Sequence, residues 1–321
     1  MQGEGRMKPI KISLLIAFIP GLVQAVNWSD GPLMVRSQAP VKSLVLSPMF
    51  RPAYYQPGGP QVDAAFYAAS IYAIDTDYVM DYYTIEYRLG MLWSPSQRWQ
   101  FGWSIASRTT NDAHLDQLTL SFHKLFGIDQ NGRDQVPKHR SYLSIPKADF
   151  EVADFSGESI GRQYELSIGR SLYNRHRHNL STTVVLAYED DDNPRSGGGW
   201  DGSVQLDYQY AWGDSVAYLM GAMAYTDGDT LFGFELETSS WHWGLGFRHQ
   251  LAPRHQLLLE YNAADGILHN LGQFKSSVHE INAGYRYHYR QLALEGVIIE
   301  NFKYPDNSAD VALVAKLRYQ F

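Results

Sequence analysis

Glu86, Arg88, Arg108, Glu165, Asp207, Arg248, Glu260, Glu280, Arg286, Glu295, Lys316 and Arg318 carry most of the chain's capacity for chemistry, and all sit where apolar and polar residues alternate. A strand sends successive side chains to opposite faces, so each charge shares a face with polar neighbours and backs onto an apolar one. A passage for anionic sugars is expected to be lined by Arg and Lys, and a cation passage by Asp and Glu. Here the signs are interspersed, so the charges can pair across neighbouring strands and leave a weak net field. They are candidates to line an enclosed lumen, as the wall of a passage or as ties that hold the interior together.

Other constellations are thinner. Ser240 and His242 share a strand face and could act as nucleophile and base. Gly213-Asp214-Ser215-Val216 has the letters of a lipolytic Gly-Asp-Ser box, but it falls at an expected tight turn, and turn chemistry accounts for it. His176 and His178 lie on one side of an extended segment, yet zinc takes three or four ligands and the flanks offer no third. A basic turn, Arg175 to His178, facing anionic headgroups is the preferred meaning. Glu189-Asp-Asp-Asp192 followed by Gly197-Gly-Gly199 could chelate calcium, although a solvated acidic tip is favoured. His123 reads as a polar residue flanking an apolar stripe. No phosphate loop or His-Glu-x-x-His occurs, and no catalytic residue, metal or cofactor is assigned.

Antiparallel strands must position these residues. Period-two segments between turn residues give about twelve strands, the even number of a membrane barrel. They fall near 61–73, 80–93, 98–108, 161–172, 179–189, 201–212, 215–226, 236–249, 255–263, 277–289, 291–300 and 310–321. The one at 215–226 alternates poorly. The clearest is the last, where Val311, Leu313, Ala315, Leu317, Tyr319 and Phe321 face one way and Lys316, Arg318 and Gln320 the other. That face suits lipid and its opposite suits a wet lumen. Tyr319 and the final Phe321 resemble the signal read by outer-membrane assembly machinery. Short connections alternate with long ones, at 109–160, 190–200, 264–276 and 301–309, as periplasmic turns alternate with surface loops.

From Met7 the chain reads as a basic start, an apolar run from Ile12 to Val23 and a small-residue site at Ala25. This is the pattern of an export signal over residues 1–25, and it is too short for a spanning helix of about 20 apolar residues. Aromatics make up 14 % of residues, with 22 Tyr and 8 Trp to supply the two girdles of a barrel. A mean hydropathy of -0.32 is far below that of a helical membrane protein. The absence of Cys excludes a disulfide framework, and the net charge of -7 argues against nucleic acid as a partner.

Two stretches are not expected in the wall. Residues 26–60 hold six prolines, too many for a central strand, and form an extension or plug. Residues 109–160 form a long loop with a helical stripe of Leu115, Leu118, Phe122, Leu125 and Phe126. That stripe must cover the mouth, the lumen or the outer leaflet.

Gly31-Pro-Leu-Met-Val-Arg-Ser-Gln-Ala-Pro40, Phe122-His-Lys-Leu-Phe-Gly127 and Gly132-Arg-Asp134 resemble a Gram-negative outer-membrane family known as domain of unknown function 3187. The resemblance covers nearly the whole mature chain and implies a barrel, with no activity or catalytic residue to carry over. The expectation is an all-β transmembrane barrel, monomeric and set in the bilayer beside lipopolysaccharide, that passes small or partly apolar solutes through a narrow, weakly selective channel. A structural or surface barrel with an occluded lumen is the alternative. A lipid-modifying enzyme ranks below both.

Overall fold

The computed structural model describes residues 30–321 apart from 112–114, 116, 118, 122–123, 125–126, 128–132, 134–135, 191–197 and 229. The export signal, with its site at Ala25, lies outside the described residues. So do Leu118, Phe122, Leu125 and Phe126 of the stripe, His123, and Asp191, Asp192 and Gly197 of the acidic loop.

The strands in chain order are β1 (Gln61–Ile74), β2 (Val79–Ser96), β3 (Trp99–Thr110), β4 (Tyr142–Ile145), β5 (Phe150–Ala153), β6 (Ser159–Arg175), β7 (His178–Glu189) and β8 (Gly199–Trp212). They continue as β9 (Ser215–Thr226), β10 (Thr230–Leu231), β11 (Phe234–Glu235), β12 (Ser239–Ala252), β13 (His255–Ala264), β14 (Val278–Tyr289), β15 (Leu292–Lys303) and β16 (Val311–Gln320). Twelve of them close into an antiparallel barrel, each long strand pairing with its neighbour along the chain and β1 pairing with both β2 and β16. The seam runs from Gln61 opposite Gln320 to Ser70 opposite Val311. One rim carries the start of β1 and the end of β16 and is here the terminal rim; the other is the loop rim.

Alternation builds this cylinder. On β6, Tyr164, Leu166 and Ile168 are exposed outside while Gln163, Glu165 and Ser167 are buried inside. A belt of exposed Leu, Val, Ile and aromatic side chains follows around the wall, which only lipid solvates cheaply. Aromatics gather at both of its edges: Trp212 stacks on Tyr210 at 5.5 Å near the terminal rim, and Trp200 meets Tyr188 at 5.1 Å near the loop rim.

Three expectations need correction. The interior is not a wet channel, because residues 30–53 fill it and nearly all of them are buried. That filling explains why β9 alternates poorly: its inner face, Val216, Tyr218 and Met220, is apolar and packs on Phe50 of the inserted segment. The 109–160 loop contains more than a helix. Its described residues at 117, 119–121 and 124 are helical, but β4 and β5 form a hairpin that adds to the loop end of β2, with Val79 opposite Ser144. Glu189 belongs to no solvated tip; it is buried in the lumen, where it accepts a hydrogen bond from Gln163.

The same loop lies partly on the outside of the wall. Tyr67 and Ile71 of β1 point inward, so Ala68 and Tyr72 point outward, yet both are buried. Leu115 covers Ala68 and Tyr83. Arg133 donates to Asp310 at 2.9 Å and to the Tyr83 hydroxyl at 2.6 Å, and its guanidinium lies 5.1 and 5.3 Å from the Tyr72 and Tyr83 ring centroids.

Candidate functional site

In the lumen, charge, burial and an inserted segment coincide. The segment enters at the terminal rim, climbs to a turn at Ala39–Leu44 near the loop rim and returns to the start of β1. Its partners trace this path: Asp30 meets Arg248 and His288, each at 3.6 Å; the Gln38 N–H donates to Glu280 at 3.1 Å; the Ala53 N–H donates to Gln209 at 2.7 Å. At the exit, Phe321 N–H donates to the Pro60 carbonyl at 3.1 Å.

A proline-rich segment cannot join a sheet ladder, so its carbonyls and remaining N–H groups need other partners once buried. The wall's side chains provide them. Arg318 donates to the carbonyls of Asp30, Pro32 and Leu33 at 2.9, 2.6 and 3.1 Å, Arg286 to those of Gly31 and Pro32 at 3.1 and 3.0 Å, and Lys316 to Leu33 at 3.1 Å. Acids take the N–H groups: Glu260 that of Leu33 at 2.7 Å, Asp201 that of Leu46 at 2.7 Å and Asp207 that of Arg51 at 3.1 Å. Three wall glycines make room for its side chains, Gly169 for Tyr55, Gly244 for Phe50 and Gly284 for Leu33. A methyl group on Gly244 would come within 2.6 Å of the Phe50 ring, and one on Gly284 within 2.7 Å of Leu33.

The twelve charged residues taken from the sequence as lumen candidates are all buried on this inner wall. Some pair across strands, as Arg286 with Glu295 at 2.6 Å, Arg318 with Glu295 at 2.8 Å and Arg108 with Glu86. Sequence reading missed Asp63, which holds Arg88 at 3.1 Å, and Asp201, Gln205 and Gln209, which are in phase with Asp207 on β8 and could have been found by it. It also missed the segment's own Asp30, Arg36, Lys42 and Arg51. Among the described residues the strands bring nine acids into the lumen, Asp63, Glu86, Glu165, Glu189, Asp201, Asp207, Glu260, Glu280 and Glu295, against six cations, Arg88, Arg108, Arg248, Arg286, Lys316 and Arg318. The inserted segment, with three cations and one acid, offsets two of the three surplus acids. Cavities left between it and the wall measure about 10, 10 and 20 Å³, room for roughly one water each.

The loop rim is closed differently. Val41, Leu44 and Val45 of the turn join Leu231, Phe232, Leu268 and Phe274 of the loops in one apolar cluster. Beneath it, Lys42 donates to Ser240 at 3.0 Å, and Ser240 is 3.0 Å from His242 Nε2. The Ser240 and His242 pair therefore faces the lumen and not the lipid. Ser215 of the Gly-Asp-Ser turn bonds His249 at 2.9 Å. His178 bonds Tyr208 at 2.5 Å, and among the described residues no three His, Cys, Asp or Glu side chains are grouped to hold a metal.

A closed antiparallel cylinder with a lipid-solvated belt, aromatic edges and a charged interior is a transmembrane β-barrel of the outer-membrane type. The chain belongs to the family described as protein of unknown function (DUF3187), whose model matches residues 11–321. No curated protein matches by sequence. Among solved structures, the COG4313 outer membrane channel from Pseudomonas putida F1 superposes with a TM-score of 0.53 at 13 % identity, covering 84 % of this chain and 98 % of that one. The NanC porin gives 0.47 at 8 % identity, with 82 % and 100 % covered, and the KdgM porin in complex with disordered oligogalacturonate gives 0.45 at 6 %, with 81 % and 99 % covered. The likeness to the first is one of fold.

Proposed function

We propose that the protein is a gated outer-membrane transport barrel, a narrow and weakly selective passage for small or partly apolar solutes that the 30–57 hairpin shuts at rest. One observation carries this reading: the hairpin's attachment. From residue 30 to 57 no strand forms, and among the described residues its main-chain to main-chain bonds include those of its own turn, from Ser43 to Ala39 and from Leu44 to Val41, and none to a strand of the wall. Its withdrawal therefore breaks no sheet ladder, and the seam between β1 and β16 stays zipped. Both of its ends lie at the terminal rim, so it leaves as a unit toward the periplasm. The apolar cluster at the loop rim and the charged interior below suit a solute with an apolar part, and the fold likeness to a protein described as a channel supports transport. In this reading residues 1–25 direct export, Tyr319 and Phe321 present the assembly signal, and the barrel works as a monomer among lipid and lipopolysaccharide, with no enzymatic role.

Planar-bilayer recording tests it. The whole protein is expected to give rare openings, and a variant lacking residues 30–57 frequent stepwise current. Silence from both leaves the second reading, a structural barrel with an occluded lumen, which the water-sized cavities favour.

A further inference from the structure

We infer that the acidic side of the lumen wall is a binding site for organic cations of the guanidinium or amine class, occupied at rest by the hairpin's own arginines. This rests on the gating reading above. Glu86, Glu165, Glu189, Asp201 and Asp207 lie on β2, β6, β7 and β8, strands that follow one another around the wall through β3. Ala187 of β7 stands opposite both Glu165 of β6 and Asp201 of β8, which puts two of these acids at one height, either side of β7. All five are at most 5 % exposed. Arg108 of the wall pairs with Glu86, Arg88 of the wall lines a small cavity with Glu165, and the hairpin adds Arg36 at Glu86 and Arg51 at Glu165.

Those hairpin charges are loosely held. Arg36 reaches Glu86 at 3.6 Å and Arg51 reaches Glu165 at 3.5 Å, distances at the edge of a hydrogen bond. Arg36 Nε and Nη2, Arg51 Nε, Glu86 Oε1 and Gln163 Oε1 are buried with no hydrogen-bond partner. Arg36, Glu86, Gln163 and Glu189 line one of the water-sized cavities, so the unused donors and acceptors converge on it. A buried ion left without its partner is costly. When the hairpin withdraws, these acids lose both guanidinium groups together, and a solute carrying guanidinium or ammonium groups restores the same pairing. An anion meets a wall with more acids than cations. The hairpin thus displays the ligand chemistry that its own departure uncovers.

The chain has no Cys, so a single introduced thiol reports the hairpin in the full-length protein. Ser47→Cys is buried at rest and labels with maleimide only when the hairpin is out. Spermidine and agmatine are expected to speed labelling several-fold, whereas citrate and sodium chloride at matched ionic strength do not, and Glu165→Gln in the same background loses the amine effect. Heat-dependent gel mobility checks that each variant still forms its barrel. Independently, Arg36→Gln with Arg51→Gln, which leaves the wall untouched, is expected to open more often and to give a reversal potential of the sign of cation passage. Labelling and current that ignore amines, or that favour anions, overturn the inference and leave the gate standing. Neither labelling nor current under any condition removes both.

Discussion

Two segments leave the sheet and lie back against it, one inside the wall and one outside, and they are secured in opposite ways. The 30–57 hairpin is held by many modest contacts: main-chain groups bonded one at a time by Glu260, Asp201, Gln209, Arg318 and others, plus side chains seated over Gly244 and Gly284. In the described part of the 109–160 loop, Arg133 alone gathers two hydrogen bonds, two ring contacts and an ion pair to Asp81 at 3.9 Å, beside the apolar cover of Leu115 and the pairing of β4 with β2. Distributed attachment suits a part that must stay in and still be removable. Concentrated attachment suits a clasp that one event can release.

Substitutions can break that contrast. The largest effect on the inside is expected from Phe50→Ala, because Phe50 is a fully buried ring of the hairpin, packed edge-on to Tyr218 at 6.4 Å. Losing a buried phenyl costs about 3 kcal/mol. If that falls on docking, the open fraction in bilayer recordings rises roughly a hundredfold. On the outside, Arg133→Ala is expected to cost about 2 to 3 kcal/mol, at the low end for a truncated buried charge pair. Limited proteolysis should then cut the loop faster while the current stays unchanged; a change in current would join the two regions that the structure separates. Smaller again is Gln209→Leu, which strips the acceptor from the Ala53 and Tyr54 N–H groups and costs about 1 to 2 kcal/mol. Its rise in opening should stay well below that of Phe50→Ala.

The smallest expected effect comes from pH. Asp306, in the loop before β16, is raised above the ordinary carboxylate range by burial and by the nearby Asp75, against the pull of the Tyr78 hydroxyl, which donates to it at 2.8 Å. A carboxyl raised in the closed loop is favoured protonated there, so its contribution is complete below an ordinary pKa of about 3.9 and is lost as pH rises through the raised value. Protection of the amides around Asn307, corrected for the base-catalysed intrinsic exchange rate, should accordingly fall between acid and neutral pH, and Asp306→Asn should flatten the change.

Most of the wall was legible because lipid outside and polar groups inside impose a period of two. The last strand, expected over 310–321, runs Val311–Gln320. β9 was obscure because its inner face meets Phe50 and not water, which removes the alternation that marks a strand. The prolines of 26–60 excluded a strand but said nothing of side. The charges read from the sequence balance, six acids against six cations, and the surplus acid that faces Arg36, Lys42 and Arg51 appears only once Asp63, Glu189 and Asp201 are placed inside. Glu189 read as part of an acidic run because its neighbours in sequence are aspartates, whereas strand phase, shared with Ala187 and Val185, turns it inward.

The seam has a topological consequence. β1 follows the hairpin directly and β16 is the last strand in the chain, so the ladder that closes the ring, Gln61–Ser70 with Val311–Gln320, encircles a piece of chain that precedes both of its strands. A completed ring offers that piece only the narrow way in past its own rim. The hairpin's donors and acceptors are thus best matched while the sheet is still an open trough, and the barrel is wrapped about its stopper much as a cask is hooped around a bung already in place.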